Sequence, residues 1–422
     1  MATAVADSYT AASGATLYVG RSAPINPLAV LIGDSLTAVS YGEIHPYYWT
    51  NGWLGAPLKI IANIGVSAEG VDNVYNRIDN SYTDASPGLA GLPPLGWALL
   101  RIGTNNTRGG NVINSTIQGF YTDLFAKILT YAERLLVFAI PPIGPAPGEN
   151  PVGLSSYNDW LADQCAADPS RMTFIDDGVT VRETNGNWKT AYAPADGIHT
   201  TKRGAYQMGV DGAAALAAAG FFTGYPDPLI AEPADVYPAQ PQWIVNPFNT
   251  GTGGSNLIGT GTVPDDWQLT GGGSAAANAS IVAADGGDTN QTPWLRITGT
   301  SVSNSFALRP GLAHDAVTSG YPSGNIEIVG QIRFNALDMS RFSQLDIWLY
   351  GSQANEEISV PIRLPMGIDT LSDTITFRGA LERRAGGGSS ATVWLYFDLS
   401  GLANYTGSVG TYDVRCVSIR TN

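Results

Sequence analysis

The chain has 422 residues, 44% of them hydrophobic, with 22 Lys and Arg against 36 Asp and Glu and a formal net charge of −14. That length exceeds one ordinary hydrophobic core, so two domains are expected. The acidic balance argues against nucleic acid as a partner, because neutralising phosphate needs clustered Lys and Arg, and no apolar run approaches the roughly 20 residues that span a membrane.

The first 24 residues are small and polar and show no clear periodicity, so we expect an N-terminal arm or a loose edge segment. They contain no basic region followed by an apolar stretch, and no secretory signal is therefore recognised. We expect the protein to lie outside the cell, which it would reach by a route other than a secretory signal, or to be part of a virion. The cytoplasm is the remaining alternative.

Short apolar runs alternate with helical patterns between residues 25 and 222. The runs are rich in Val, Ile and Leu and predict buried parallel strands at 28–32, 59–64, 97–102, 135–140 and 172–175. Apolar residues at helical spacing predict helices at 115–133, 154–167 and 202–219. This alternation predicts an α/β fold with a doubly wound parallel sheet.

The remainder of the chain has a different character. Five prolines crowd residues 223–245, which predicts a linker. Residues 246–422 carry short alternating runs separated by glycine-rich turns, a pattern typical of an all-β sandwich or jelly roll. Its tryptophans are candidates for stacking on sugar rings, with at least half expected in the core; they are Trp267, Trp294, Trp348 and Trp394.

Four motifs of the α/β region lie at predicted strand ends or before a helix. Ser35 stands in a Gly-Asp-Ser-Leu stretch, Gly65 and Asn105 follow the next two strands, and Asp196 and His199 frame a D-x-x-H block. Ligands bind outside the carboxyl ends of strands in such sheets. A serine hydroxyl needs an adjacent base, and that histidine base needs a third group to fix its tautomer. One tight turn brings the D-x-x-H side chains to one side.

In this chain order, the motifs resemble those of the SGNH hydrolases, also called the GDSL esterase family, over about residues 25–222. The resemblance implies a flavodoxin-like, three-layer α/β/α fold. It implies that Ser35 is the nucleophile and that His199 and Asp196 are its base and acid partner.

The same resemblance implies an oxyanion hole made by the backbone N–H groups of Ser35 and Gly65 and the side-chain amide of Asn105. Asn106 stands where the family usually has aspartate, so we expect an amide to replace a structural carboxylate contact. Trp188, on a loop-like stretch before the D-x-x-H block, is assigned to substrate contact, as is Asp34 beside the serine.

The chain has three histidines. His314 lies in the predicted β domain and does not easily reach Ser35, and His45 is expected to be a surface or structural residue. Alone, His199 is better explained as a capping or exposed residue, and the accompanying motifs favour catalysis. The aromatic residues at 47–53 are a possible wall for a sugar, but packing in the core is the favoured interpretation.

The start of the β domain, at residues 246–267, resembles jelly-roll modules of the carbohydrate-binding type, which accompany secreted glycan-active enzymes and phage tail proteins. A structural or oligomerising domain is the alternative. No cofactor and no metal are expected. Cys165 and Cys416 fall in different predicted domains, so no disulfide is expected either.

These observations predict a serine esterase that removes short acyl groups, most of all acetyl, from a carbohydrate or polysaccharide. An acylated polysaccharide or another small ester is the expected partner. One alternative is a lipase or thioesterase that acts on longer acyl chains. The other is a virion-associated structural or glycan-binding protein in which the hydrolase domain is secondary.

Overall fold

A computed structural model describes residues 7–10, 16–19, 26–38, 46–82, 84–144, 151–222, 252–265, 267–271, 276–285, 292–301, 306–309, 325–335, 347–350, 357–360, 374–382, 395–397 and 406–421. The chain divides into two compact units, Met1–Thr50 with Ala62–Pro226 and Asn51–Ile61 with Asp227–Asn422. The predicted linker at 223–245 lies outside the described residues. We call residues 26–222 the α/β region and residues 252–421 the β region.

Two short strands precede the α/β region. Strands β1 (Asp7–Thr10) and β2 (Thr16–Val19) pair as an antiparallel hairpin. The sequence predicts an arm or a loose edge segment here and indicates no strand, and the structure adds the hairpin. Main-chain groups, which every sequence carries, form such a ladder, and a short hairpin therefore need not show the apolar alternation by which strands are recognised.

A five-stranded sheet with parallel pairing forms the centre of the α/β region. Its strands are β3 (Leu28–Gly33), β4 (Lys59–Asn63), β5 (Leu95–Arg101), β6 (Ala132–Phe138) and β7 (Met172–Ile175). Their order is β4-β3-β5-β6-β7, which is the flavodoxin-like order, and this confirms the parallel α/β prediction. Ligands bind in such sheets where the order reverses, here between the carboxyl ends of β3 and β5.

The middle strand of the sheet is buried along its whole length, since every residue of β5 is buried. Trp97 packs against Phe221 and Phe222, with ring centroids 5.8 and 4.9 Å away. A strand covered on both faces shows a continuous apolar run instead of alternation. Arg101 ends this run as a charged side chain that is 1% exposed.

Helices connect these strands. They are α1 (Pro46–Trp53), α2 (Val71–Arg77), α3 (Thr104–Thr107), α4 (Ser115–Tyr131), α5 (Leu154–Ala167) and α6 (Lys202–Ala218). The predicted helices at α4, α5 and α6 agree with the structure to within two residues at each end. Tyr47 and Trp49 of α1 are each 1% exposed, which confirms their core assignment. In the described part of the chain, no helix has the length and apolarity to cross a membrane.

The described elements of the β region are all strands. They are β8 (Ser255–Asn256), β9 (Gln268–Gly271), β10 (Ala276–Val282), β11 (Trp294–Ser301), β12 (Phe306–Arg309), β13 (Asn325–Asn335), β14 (Ile347–Tyr350), β15 (Glu357–Val360), β16 (Thr374–Glu382), β17 (Leu395–Phe397) and β18 (Thr406–Thr421). They form two sheets, β10-β11-β18-β13-β16 and β15-β14-β17-β12-β9-β8. The jelly-roll arrangement and the carbohydrate-binding resemblance stay predictions.

The tryptophans of the β region that the structure describes lie in its core. Trp267 is 2% exposed and Trp294 is 1% exposed, so neither offers a ring face for stacking on a sugar. Trp394 and the side chain of Trp348 lie outside the described residues. The expectation that at least half of the four belong to the core is confirmed.

Candidate active site

The serine of the Gly-Asp-Ser-Leu stretch lies directly after β3, in a hydrogen-bonded turn. The backbone N–H groups of Thr37 and Ala38 both donate to the Asp34 carbonyl, at 3.0 and 2.9 Å. The sequence predicts a strand-to-helix turn at Ser35. The described backbone shows this one turn, then residues 39–45 lie outside the description and α1 begins at Pro46.

Close packing around the turn explains the glycine that opens it. A Cβ atom at Gly33 would lie 2.2 Å from the Arg101 carbonyl oxygen and 2.3 Å from Thr37 Oγ1. Because glycine has no side chain, the end of β3 can lie close to both β5 and the turn that follows it. The glycine therefore fixes where Ser35 emerges from the sheet.

The D-x-x-H block forms a tight turn just before α6. One carboxylate oxygen of Asp196, Oδ1, accepts the backbone N–H groups of Ile198 and His199, both at 2.9 Å. The other oxygen lies 2.5 Å from His199 Nδ1. Between them Gly197 adopts a left-handed φ of +75°. The predicted single turn is confirmed, and it places carboxylate and imidazole on the same side.

The imidazole then reaches the serine. His199 Nε2 lies 2.9 Å from Ser35 Oγ, across 164 positions of sequence. Ser35 is 7% exposed, while the side chains of His199 and Asp196 are 29% and 50% exposed. The three predicted side chains are thus brought together in one hydrogen-bonded series. This is the arrangement by which a carboxylate orients an imidazole that takes the proton of a serine.

The carboxylate of this series stays ionised. Partial burial raises the pKa of Asp196, but the hydrogen bonds from Ile198, from the imidazole and from the His199 backbone outweigh that effect. The pKa of Asp196 is therefore lowered below its ordinary value. At neutral pH the group is an acceptor that holds the proton on Nδ1 and leaves Nε2 to face the serine.

Gly65 has a different role from the predicted one. Its backbone N–H donates to Asn63 Oδ1 at 3.0 Å, and Asn63 Nδ2 donates to the Thr37 carbonyl at 2.6 Å. A Cβ at Gly65 would lie 2.6 Å from Ala38 N. The glycine is needed for close approach to the serine turn, and the predicted oxyanion donor is engaged within the protein in this state.

Asn105 and Asn106 bind the loop between β4 and α2. Asn105 Nδ2 donates to the Glu69 carbonyl at 2.8 Å, which leaves its second amide hydrogen for a ligand. Asn106 Oδ1 accepts the Val71 N–H at 3.0 Å, so its side-chain amide makes a structural contact with the start of α2. The Glu69 carboxylate lies 2.7 Å from Arg77.

Near these loops, the backbone N–H groups of Ser35 and Ala68 donate no hydrogen bond to any described residue. Ala68 is exposed and has a left-handed φ of +64°, which is uncommon for a residue with a Cβ. Sequence reasoning missed Ala68, because an alanine carries no sign of the backbone conformation that it adopts. We add its N–H to the candidate oxyanion donors.

The structure corrects both predicted substrate contacts. Trp188 is 2% exposed and packs in a core cluster with Val181 and Met208. Asp34 is fully buried, and its Oδ1 accepts the Leu36 N–H at 3.0 Å. In this structure neither side chain presents a surface to a substrate. A tryptophan in a polar, glycine-containing stretch had suggested a pocket wall, but the stretch folds back over the core.

His45 and His314 lie outside the described residues. Cys165 is buried and free. Within the described ranges, no group of three or more His, Cys, Asp or Glu side chains is arranged to hold a metal ion.

No protein-family model and no curated protein matches the sequence. Solved structures of GDSL-type lipolytic hydrolases match its N-terminal part, about 45% of the chain. One is a GDSL-like lipase from Bacteroides thetaiotaomicron, with 17% identity, a TM-score of 0.34, and 46% of this chain and 87% of the lipase covered.

A member of the lipolytic protein G-D-S-L family from Veillonella parvula matches with 19% identity and a TM-score of 0.33, covering 47% of this chain and 98% of that protein. An acetyl esterase variant with an acetate ion matches with 16% identity and a TM-score of 0.33, covering 45% and 96%. Identities this low do not define a substrate.

Proposed function

We propose that the protein is a serine hydrolase that cleaves carboxylic esters through a covalent acyl-enzyme. The observation that carries the proposal is the position of His199, with Nε2 at 2.9 Å from Ser35 Oγ and Nδ1 at 2.5 Å from Asp196 Oδ2. A second support is the place of Ser35 and Asn105, which follow β3 and β5 at the reversal of strand order.

In the first half-reaction, Ser35 Oγ attacks the ester carbonyl while His199 Nε2 takes the hydroxyl proton. The tetrahedral intermediate places a negative charge on the former carbonyl oxygen, which needs donors about 3 Å away. We assign that role to the N–H groups of Ser35 and Ala68 and to the second amide hydrogen of Asn105. Protonated His199 then gives its proton to the leaving alcohol, and the acyl group remains on Ser35.

In the second half-reaction, a water molecule replaces the alcohol. His199 takes a proton from the water as it attacks the acyl carbonyl, and returns that proton to Ser35 Oγ as the carboxylic acid leaves. Throughout, the Asp196 carboxylate stabilises the imidazolium and keeps the ring oriented. No group beyond these side chains and water is required for the proton transfers.

The decisive test compares Ser35→Ala with Ser115→Ala, an exposed serine at the start of α4. We expect Ser35→Ala to lose at least about 10³-fold in kcat/KM for p-nitrophenyl acetate, as happens when a serine nucleophile is removed. We also expect it to escape covalent labelling by a fluorophosphonate, which phosphonylates activated serines. Unchanged turnover by Ser35→Ala would refute the proposal.

We further propose that the ester is a short acyl ester, acetyl first, on a carbohydrate. This proposal is supported by the presence, in one chain, of the Ser35 site and a second region whose described elements are all strands. Acetate release from a panel of acetylated polysaccharides tests it. A series of p-nitrophenyl esters from acetyl to octanoyl tests the chain length, and a preference for octanoyl would favour a lipase or thioesterase instead.

A further inference from the structure

Buried polar atoms without partners are concentrated beneath the serine turn. Within the described residues they are Asp34 Oδ2, Arg101 Nε and Nη1, Thr104 Oγ1 and Asp177 Oδ1. Buried polar atoms are nearly always hydrogen-bonded in proteins, and each missing bond costs about 1–3 kcal/mol. Such a group therefore calls for an explanation other than stability.

Asp34 is the member of this group closest in sequence to the chemistry. It precedes Ser35 directly, is fully buried, and uses only one oxygen, Oδ1, to accept the Leu36 N–H. That bond and the two bonds to its carbonyl define the turn that carries Ser35. The carboxylate thus shapes the serine turn from below while its second oxygen stays unpaired.

A buried ion pair provides the opposite charge. Arg101 lies beside Gly33 in the pairing of β5 with β3, is 1% exposed, and forms a salt bridge with Asp177, which is fully buried. Its guanidinium lies 5.2 Å from the centre of the Tyr47 ring and 5.4 Å from that of Phe138. One cation therefore serves two buried carboxylates, and the group as a whole carries a negative charge when both are ionised.

On the basis of the proposed esterase function, we propose that Asp34 is a positioning residue whose buried negative charge, only partly offset by Arg101, which also pairs with Asp177, stabilises His199 as it takes the proton of Ser35. Asp196 is half exposed, so water screens its charge, whereas no water screens Asp34. The buried carboxylate therefore adds unscreened electrostatic stabilisation to the stabilisation that the half-exposed Asp196 provides.

Several titratable groups face Asp34. Burial raises its pKa to about 6, and the bond from Leu36 and the charges of Arg101 and His199 partly offset that effect. Burial raises the pKa of the Tyr47 and Tyr121 phenols, and the negative charge of Asp34 raises it further, so both phenols remain neutral. Asp34 therefore loses its charge below about pH 6, and the proposal predicts that this support for His199 is lost with it.

The experiment separates the charge of Asp34 from its hydrogen bond. Asp34→Asn keeps an oxygen for the Leu36 N–H but removes the charge, and Asp34→Ala removes both. Asp123→Asn, an exposed carboxylate on α4, is the control for a change in net charge. We measure kcat and KM for p-nitrophenyl acetate between pH 5 and 9, with unfolding of each variant by urea.

We expect Asp34→Asn to lose about 10- to 100-fold in kcat above pH 7, because the transition state loses the stabilisation that the charge provides. KM should change little. Below about pH 6 the wild-type rate should fall more steeply than one proton allows, and Asp34→Asn should show a one-proton slope. Arg101→Lys, which keeps the charge, should retain more kcat than Arg101→Gln.

Two results would overturn the inference. The first is wild-type kcat and pH profile in Asp34→Asn while Ser35→Ala is inactive, an outcome that leaves the esterase proposal intact. The second is a wild-type rate that falls with a one-proton slope below pH 6. This test uses the wild-type protein alone, so it does not depend on whether the variants fold. An active Ser35→Ala would instead mark the failure of the esterase proposal itself.

Discussion

Both regions of the molecule contain a buried aspartate that pairs with arginine, and they differ in how many of the buried polar atoms have hydrogen-bond partners. In the β region, Asp413 is fully buried and accepts hydrogen bonds from both Arg296 and Arg333, so that each of its oxygens has a partner. Trp294 fills the space beside the guanidinium of Arg333, 4.3 Å from its ring centre. In the α/β region, Arg101 and Asp177 each keep buried atoms unpaired among the described residues.

The difference indicates different roles for similar ingredients. A fully satisfied polar network rigidifies a structure, whereas a partly satisfied one is costly and is retained at sites that perform chemistry. The network with unpaired carboxylate atoms lies under Ser35, at the carboxyl edge of the sheet, and the network whose carboxylate is fully paired lies across β11, β13 and β18. We therefore expect mutations in the first network to act on rate and mutations in the second to act on stability.

The largest expected effect is on rate alone. Replacing His199 by Gln removes the base but keeps a side chain of similar polarity, so kcat/KM for p-nitrophenyl acetate should fall by about 10⁴-fold or more. The imidazole is partly exposed, so the free energy of unfolding should change by less than about 0.5 kcal/mol. Steady-state kinetics check the loss of rate, and urea unfolding checks the small change in stability. A residual rate near that of the wild type would contradict the assignment of His199 as the base.

The second prediction concerns stability alone. Asp413→Ala leaves Arg296 and Arg333 without their shared carboxylate, and breaking a buried pair in this way costs about 3–5 kcal/mol. Urea unfolding measures the loss, and esterase activity under native conditions should stay at the wild-type level. Asp285→Ala, which also removes a partner of Arg333 but at 63% exposure, is the matched control and should cost under about 1 kcal/mol.

The sequence predicted most of the α/β region because burial on both faces leaves a strong pattern. Strand β7 and helix α5 agree with the structure residue for residue. The contact of Asp196 with His199 was also predictable, because three positions in one turn set it. The position of Ser35 relative to His199 required the motif order as well, since 164 residues separate them.

Other features could not be predicted, for physical reasons that differ from case to case. The burial of Trp188 and Asp34 depends on how distant segments pack. The engagement of the Gly65 N–H depends on one rotamer of Asn63, and the left-handed backbone of Ala68 is imposed by its loop. The hairpin of β1 and β2 rests on main-chain pairing. None of these leaves a periodic trace in the sequence.

The third prediction concerns the pH dependence of stability that arises from the network under Ser35. Burial raises the pKa of Asp177 to about 6, as it does for Asp34, so the folded state holds these protons more tightly than the unfolded state, where the groups titrate near 4. The contribution of these two groups to folding stability then decreases as pH rises from about 4 to about 6. Two pKa units correspond to about 3 kcal/mol for one group.

Urea unfolding across that pH range measures the trend, and Asp34→Asn should flatten it and raise the stability above pH 6. A residue that merely supports the fold would behave in the opposite way, because its removal would lower both stability and rate. A variant that is more stable and less active would identify Asp34 as a group kept for function at the expense of stability.

The smallest effect concerns the loop that carries Ala68. A left-handed backbone costs a residue with a Cβ about 1–2 kcal/mol, and a glycine would remove that cost. The added freedom of glycine in the unfolded chain opposes the gain by about 0.4–1 kcal/mol. Ala68→Gly should therefore stabilise the protein by about 0.5–1 kcal/mol, measurable as a small increase in the urea midpoint.

Ala56→Gly is the control for this last prediction. Ala56 has a similar φ of +57° but is fully buried, so the lost methyl contacts should cancel the relief of strain and leave the midpoint unchanged or lower. If the Ala68 N–H helps to bind the oxyanion, its glycine variant should also lose kcat by a fewfold, because a more flexible loop holds the donor less firmly. A stabilised variant with unchanged kcat would confine Ala68 to a structural role and leave Ser35 and Asn105 as the oxyanion donors.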